Sequence, residues 1–208
     1  MAAANEKQWR EFWQRLDARG DATPLWGELH AAYTEPWRAY HNLDHIGHCL
    51  SEFGNTRQFA DDPIAVEAAI WFHDVIYDTH QKDNEERSAT FASTALAKAG
   101  TPEDFCRHVH MLILATKHQS QPPSKDARLL TDIDLSILGQ GPERYAEFEQ
   151  QIRSEYAWVT DKDFAAGRSS VLSSFLRRAQ IFNSATFVQR YEEPARVNLA
   201  WAIKQLAA

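Results

Sequence analysis

The sequence is poor in the features that mark secreted and membrane-spanning proteins. It has only two cysteines, Cys49 and Cys106, which are too few for a disulfide framework and lack the spacing of a metal-binding knuckle. No apolar run approaches the roughly 18 residues that cross a bilayer, and the first residues lack the apolar segment of a signal peptide. We therefore expect a cytoplasmic protein with reduced thiols and no membrane partner.

Basic residues are scarce relative to acidic ones. The 22 Lys and Arg residues against 29 Asp and Glu residues give a formal net charge of −7. An extended nucleic-acid surface requires a basic footprint, so we expect no general nucleic-acid binding. A small phosphorylated partner is compatible with this charge, because a metal ion and a few arginines can hold it locally. The composition leaves the oligomeric state open.

Strand patterns are absent as well, and helical periodicity takes their place. Apolar residues recur at three- and four-residue spacing nearly throughout. With 208 residues and a hydrophobic content of 44%, the chain fits one all-α domain. Predicted helices span about residues 5–18, 23–35, 63–74, 84–99, 126–138, 142–158, 161–178 and 193–206. Two more follow the segments 37–46 and 101–104 and end near residues 59 and 117.

One apolar helix is interrupted by two adjacent polar side chains, His73 and Asp74, between Trp71-Phe72 and Val75-Ile76-Tyr77. A buried carboxylate is costly unless it is paired or bound to a metal. By itself, such a dipeptide is usually a hydrogen-bonded pair in the core. Similar interruptions elsewhere favour a metal instead: His41 and His45 at helical spacing, His118 after an apolar helix, and Asp132 and Asp134 among leucines.

Imidazole and carboxylate ligands together suit a particular group of divalent ions. Mn, Fe, Co, Ni and Zn accept both ligand types, whereas Mg prefers oxygen ligands alone. The sequence therefore predicts a divalent transition metal as cofactor, with Mg the less suitable ion.

Three motifs resemble those of the HD-domain superfamily of metal-dependent phosphohydrolases. That family carries a His … His-Asp … Asp set on an all-α bundle, and His73-Asp74 is similar to its central pair. The segment from Tyr40 to His45 is similar to the His-Asn-x-x-His motif of related cyclic-nucleotide phosphodiesterases, and Ile133 to Ser136 is similar to an Ala-Asp-Leu-Ser motif. The resemblance covers about residues 37–138, and we expect helices 142–206 to pack on this motif-bearing core. Further segments are similar to a bacterial subgroup of predicted HD phosphohydrolases.

The resemblance implies a site and a reaction. Its metal ligands are His45, His73, Asp74 and Asp134, with Asp134 preferred to Asp132. Water activated by the metal would attack a phosphate ester of a small molecule, with a nucleotide as the favoured substrate. The implied catalytic residues are His41, Asp74 and Glu85: His41 gives a proton to the leaving group, and Glu85 or Glu86 orients the water. Alternatively, His41 caps a helix or orients a ligand, and the glutamates form a solvated helix start.

Four further side chains are candidates for substrate binding. Lys117, Arg153 and Arg168 offer positive charge for phosphate, and arginine suits bidentate contacts. Surface exposure or ion pairing is the alternative for each. His118 contacts substrate or a second metal, or else lies in the core. We expect one tightly bound metal, because His80, His108 and His110 supply no clear partner for His118.

Two other classes of function stay open from the sequence. Some proteins of the HD fold are di-iron oxygenases, and His118 keeps that assignment under consideration. A non-catalytic module that binds a nucleotide or a metal for regulation is the other. Oxygen uptake would favour the oxygenase, and nucleotide binding without turnover would favour the module.

Overall fold

The computed structural model describes residues 2–207, and all regular structure within that range is helical, which confirms the all-α prediction. Within the same range, no helix has both the length and the apolarity that a membrane span requires. In chain order the helices are α1 (Glu6–Arg15), α2 (Thr23–Tyr33), α3 (Leu43–Thr56), α4 (Pro63–Phe72), α5 (Asn84–Lys98), α6 (Glu103–Ala115), α7 (Lys125–Leu135), α8 (Pro142–Glu155), α9 (Asp161–Leu176) and α10 (Ala185–Leu206), with 3₁₀ segments at Arg57–Phe59 and Ser136–Gly139.

Contacts divide the chain into two compact units. The first reaches Ile133 and holds α1 to α6 with most of α7, and the second begins at Asp134 and holds α8 to α10. The assignment of the whole chain to a single domain stays a prediction.

Helix α4 is the centre of the first unit. Every residue from Ala65 to Phe72 is buried, as expected for a helix that is apolar nearly all round. The helix begins sharply because the Asp62 carboxylate accepts the N–H groups of Ile64 and Ala65, and Pro63 supplies a preset backbone angle. Helices α3, α5 and α6 pack around it.

Aromatic side chains of α1 cover the carboxyl end of α4. The Trp9 ring is fully buried and meets Trp71 edge-on with ring centroids 5.5 Å apart, and Phe72 with centroids 5.9 Å apart. Its indole N–H donates to the carbonyl of Ala22 at 2.9 Å, so the polar end of the ring is satisfied. The end of α4 is therefore held by large, closely packed rings.

The second unit is built around α10, which packs on α8, α9 and the Ser136–Gly139 segment. The sequence predicted that this helix would start near residue 193, but it begins at Ala185 and continues through Pro194. Proline costs roughly 3 kcal/mol inside a helix. Here the buried face continues across Pro194, with Phe187 and Tyr191 before it and Leu199 after it, and this packing outweighs the cost.

Several predicted helices end later than the observed ones. The clearest cases are the ends predicted at residues 18, 117, 158 and 178, where α1, α6, α8 and α9 stop at Arg15, Ala115, Glu155 and Leu176. Two predicted helices change to 3₁₀ geometry near their ends, at Arg57–Phe59 and Ser136–Gly139. Apolar periodicity continues through such last turns, so it overestimates the length of the α-helix.

Candidate metal centre

Three of the predicted ligands, His45, His73 and Asp74, meet in the first unit. The two Nε2 atoms of the histidines are 3.0 Å apart. The Asp74 Oδ2 atom is 3.1 Å from Nε2 of His73 and 3.5 Å from Nε2 of His45. Adjacent ligands on a divalent metal with bonds of about 2.0–2.2 Å lie about 3.0–3.5 Å from one another. The three atoms therefore form a group that could hold a metal ion.

The histidines of this group are buried, and the carboxylate is largely so. His45 is 3% exposed and His73 is 2% exposed, whereas the side chain of Asp74 keeps 17% of its surface. A metal ion held in such a setting acts strongly on its ligands, because the surrounding dielectric constant is low.

The end of α4 explains how His73 is placed. The sequence predicted a helix that includes His73 and Asp74. The helix instead stops at Phe72, so both residues lie in the turn after it. The backbone N–H of His73 still bonds the Ala69 carbonyl at 2.9 Å. Its ring Nδ1 lies 3.0 Å from the Ile70 carbonyl, which can only accept, so Nδ1 carries the proton. Nε2, on the other side of the ring, is therefore the nitrogen available to a metal.

His45 occupies the first turn of α3. The helix begins after Asn42, whose side chain accepts the N–H of Asp44 at 2.8 Å. His41 precedes the helix, so the prediction that His41 and His45 share a helix face is wrong in detail. Their rings nevertheless lie 5.9 Å apart, because the turn before α3 folds His41 back toward His45.

The Asp74 carboxylate is kept ionised by its neighbours. Burial by itself would raise the pKa of Asp74, but attraction to His73 and hydrogen bonds with His45 and His73 outweigh it and hold the pKa well below its ordinary value. An ionised carboxylate beside two imidazoles is the state that binds a cation.

His41 lies beside the ligand group, with its ring 5.9 Å from that of His45, and its catalytic role stays a prediction. Its imidazole stacks on the Tyr77 ring with centroids 4.2 Å apart and an angle of 28° between the planes. The Tyr40 ring meets it edge-on at 5.0 Å. Two aromatic neighbours thus limit the orientations that the His41 ring can adopt.

The segment between Tyr77 and α5 is closed at its base. The Asn84 side chain accepts the N–H of Asp78 at 3.1 Å and donates to the carbonyl of the same residue at 3.0 Å. The Ser88 hydroxyl makes the same kind of paired contact with Ile76, at 3.0 and 3.2 Å. These contacts tie the turn that carries Asp74 to α5.

The predicted residues Glu85, Glu86, Lys117 and His118 lie at the start of α5 and after α6. Glu85 and Glu86 occupy the first turn of α5. Lys117 forms an ion pair with Glu86, and this contact raises the pKa of Lys117 and lowers that of Glu86. His118 follows in the left-handed backbone region with φ of 55°. Ion pairing is the alternative that the sequence left open for Lys117, and the roles of all four in catalysis stay predictions.

Arg153 and Arg168, the other predicted phosphate ligands, have carboxylate partners in the second unit. Arg168 makes two parallel bonds to Glu149, at 3.0 and 2.7 Å. Arg153 bonds Asp161 at 2.6 Å and the carbonyls of Tyr156 and Val159. Both show the ion pairing that was the alternative interpretation, and their roles in phosphate binding stay predictions.

The two aspartates near the end of α7 differ in burial. Asp132 is fully buried, and Asp134 is partly exposed. Asp134 is the first residue of the second unit. Its role as a fourth ligand stays a prediction from the motif.

Two residues near the ligands were missed by sequence reasoning. Arg38 has a side chain that is only 1% exposed, and it donates to the carbonyls of His41, Asp74 and Val75. Nothing in the sequence distinguishes a buried arginine from an exposed one. The Cys49 thiol lies 3.8 Å from the His45 ring, and its spacing of four residues from His45 was a usable signal.

The donor set defines what the centre can do. Two imidazoles and one carboxylate suit a divalent transition metal and leave coordination positions for other ligands. Comparisons with protein-family models, with curated proteins and with solved structures find no match to this chain. The chemistry of the centre is therefore inferred from its ligand atoms and their neighbours.

Proposed function

We propose that this chain is a metal-dependent phosphohydrolase that cleaves a phosphate ester of a small molecule, with a nucleotide as the favoured substrate. The observation that carries the proposal is the convergence of His45, His73 and Asp74, whose ligand atoms are separated by 3.0 to 3.5 Å. These are three of the four positions at which the motifs resemble those of the HD phosphohydrolases. The metal is Mn, Fe, Co, Ni or Zn, given the mixed nitrogen and oxygen ligands.

The chemistry that the ion supplies when bound is acidification of water and polarisation of the phosphate ester. His45, His73 and the Asp74 carboxylate would hold the ion. In this proposal Asp134 is the fourth ligand, as in the motif it resembles. Because His73 donates from Nδ1 to the Ile70 carbonyl, Nε2 is the nitrogen that faces Asp74, and a metal would take the place of the proton shared between them.

His41 is the proposed proton donor to the leaving group. As the phosphorus–oxygen bond breaks, the leaving oxygen gains negative charge, and a proton from the imidazole neutralises it. The stack on Tyr77 holds the ring in one plane beside the ligand group. Glu85, in the first turn of α5, is the proposed group that orients the attacking water.

Phosphate binding by Lys117, Arg153 or Arg168 would require an exchange of partners. Each of these cations pairs with a carboxylate in the protein: Glu86, Asp161 and Glu149, respectively. A phosphate oxygen would have to replace that carboxylate. The carboxylates differ in how easily they are displaced: Asp161 is almost fully exposed and Glu86 is half exposed, whereas the pair of Arg168 with Glu149 is largely buried.

The test combines metal analysis with an activity screen. Purified protein loaded with Mn²⁺, Co²⁺ or Zn²⁺ is assayed for phosphate release from nucleotides and other phosphomonoesters. We expect activity that requires the metal and that Asp74→Ala abolishes together with metal binding. Asp44→Ala is the matched control, since Asp44 is an exposed aspartate next to His45. We expect this variant to keep both the activity and the metal binding of the wild type.

Silence across the substrate panel with the metal fully bound would contradict the proposal. Oxygen consumption by an iron-loaded sample would assign the oxygenase function instead. Nucleotide binding without turnover would assign the regulatory module.

A further inference from the structure

The Arg38 guanidinium is the most enclosed cation near the ligand group. Its Nε donates to Glu35 Oε2 at 2.8 Å. Its Nη1 donates to the Asp74 carbonyl at 2.6 Å and to the His41 carbonyl at 3.2 Å, and Nη2 donates to the Val75 carbonyl at 3.1 Å. A buried charge with this many acceptors is fixed in one position.

Two of the three carbonyls that Arg38 binds, those of Asp74 and Val75, lie just after the end of α4. The last two carbonyls of α4 have other donors: the Trp71 carbonyl accepts a hydrogen bond from the Tyr33 hydroxyl at 3.0 Å, and the Phe72 carbonyl accepts one from the N–H of Val75 at 3.1 Å. Asp74 and Val75 lie beyond the helix, so their carbonyls need donors from elsewhere in the chain. Arg38 supplies both donors from the segment before α3.

Aromatic rings enclose the same guanidinium. The central carbon of Arg38 lies 5.4 Å from the centroid of the Tyr33 ring and 5.5 Å from that of Tyr77. Tyr77 in turn stacks on His41. One side chain therefore joins the backbone of Asp74 to the backbone of His41, and also contacts the ring against which the His41 imidazole lies.

We propose that Arg38 is a positioning residue that fixes Asp74 and His41 relative to each other and thereby sets the affinity of the centre for its metal. This inference rests on the proposed function, since it takes Asp74 as a metal ligand. Arg38 itself touches neither metal nor substrate. It acts through the backbone of the two segments that carry the ligand and the proton donor.

Lysine cannot replace arginine in this role. The guanidinium is planar and directs its N–H groups to several acceptors at fixed angles, whereas an ammonium group is a single point on a flexible stem. Arg38→Lys keeps the charge beside Glu35 but loses the bridge between the His41 and Asp74 carbonyls. The variant therefore tests how the geometry of the guanidinium affects metal affinity while the positive charge is kept.

The second unit offers a matched control. Arg196 also binds one carboxylate, Glu192, at 2.8 Å, and the carbonyls of Leu176, Arg178 and Ala179 at 2.8 to 3.1 Å. The segments that it joins carry no predicted metal ligand. Arg196→Lys makes the same chemical change with no expected effect on the metal.

The experiment titrates the metal-free protein of residues 1–208 with Co²⁺ and records both the dissociation constant and the absorption spectrum of the bound ion. We expect Arg38→Lys to bind about tenfold or more weakly, the range seen when groups that orient metal ligands are removed. Its spectrum should also change, because the Asp74 ligand shifts. Arg196→Lys should match the wild type in both measurements.

Each other outcome contradicts the proposal. Wild-type affinity and spectrum in Arg38→Lys would overturn it, and so would equal weakening in both lysine variants. If Arg38→Lys does not fold, Glu35→Ala is the deciding variant. It removes the acceptor of the Arg38 Nε–H, and the Glu35 side chain is 32% exposed, so the change should be tolerated by the fold. Unchanged affinity in Glu35→Ala would then overturn the inference. Wild-type protein that binds no Co²⁺ would overturn the proposed function first, so the two failures are distinguishable.

Discussion

His73 holds its ligand nitrogen in place through a hydrogen bond on the other side of the ring. The Nδ1 proton points to the Ile70 carbonyl, a group of the helix that immediately precedes the histidine. A metal therefore meets an imidazole whose tautomer and plane are already set, and less freedom is lost on binding.

At the level of single residues, the ligand assignment predicts a change in stability. Free Co²⁺ at 100 times its dissociation constant should raise the free energy of unfolding of the wild type by about 2.7 kcal/mol, provided that it binds only the folded protein. His45→Ala should abolish most of this increase, because it removes one of three converging ligands. The measurement is urea unfolding with and without the metal.

His48→Ala is the control for that change. His48 is a buried histidine on the same helix, so its replacement also leaves a small cavity. It belongs to neither the predicted nor the observed ligand group, and the metal-dependent increase should be retained. An increase that survives in His45→Ala would contradict the ligand assignment.

At the level of helices, the sequence predicted which segments are helical but missed several of the residues at which the helices begin or end. The start of α4 was predicted correctly at residue 63, because the Asp62 cap and Pro63 that fix it are local signals between neighbours in sequence. Its C-terminus at Phe72 was missed, since the carbonyls beyond it are satisfied by Arg38, which is remote in sequence. The start of α10 was missed because proline normally marks a boundary, and only tertiary packing retains Pro194 inside the helix.

The contact between α1 and α4 predicts a large loss of stability on truncation of one ring. Trp9→Ala should lower the free energy of unfolding by about 3–5 kcal/mol, since it opens a cavity against Trp71 and Phe72. Trp37→Ala is the control, because Trp37 is 56% exposed and its loss should cost about 0.5 kcal/mol or less. Chemical denaturation of the metal-free protein measures both, and equal effects would contradict the packing described.

The contact between α10 and the Ser136–Gly139 segment predicts a difference between two glycines. A methyl group at Gly139 would lie 2.6 Å from the Cβ of Tyr191, which is too close for any real contact. Gly139→Ala should therefore destabilise the protein by about 1–3 kcal/mol through forced displacement of the helix. Gly141→Ala meets nothing within 4 Å and serves as the control. Thermal unfolding of the two variants would show the difference.

At the level of the whole chain, local chemistry was easier to predict than partners. His45, His73 and Asp74, which the resemblance implied as ligands, do lie together in the structure, and they could be singled out because few residue types bind metals and these interrupt apolar segments. The partners of Lys117 and Arg168 could not be singled out, because a cation in a sequence looks the same whether it faces phosphate or a carboxylate. Glu86 and Glu149 are 31 and 19 residues away, respectively, from the cations they neutralise.

Metal binding should leave an uneven pattern of protection along the chain. Hydrogen exchange of backbone amides should slow around residues 41–46 and 73–78 when Co²⁺ is added, since these segments carry the converging ligands. Helices α8 to α10 carry no predicted metal ligand, and their exchange should not change when the metal alone is added. Uniform slowing over all peptides would show that the ion acts by another route.

The closed base of the segment between Asp78 and Asn84 has a consequence for protein engineering. Because Asn84 bonds both backbone groups of Asp78, the exposed residues 80–83 form a bulge whose ends are already joined. Lengthening a closed surface loop costs little, about 0.6 kcal/mol for each doubling of its length. We therefore expect a short peptide tag inserted at Lys82 to leave the turn that carries Asp74 in place, so that the tagged protein folds like the untagged one.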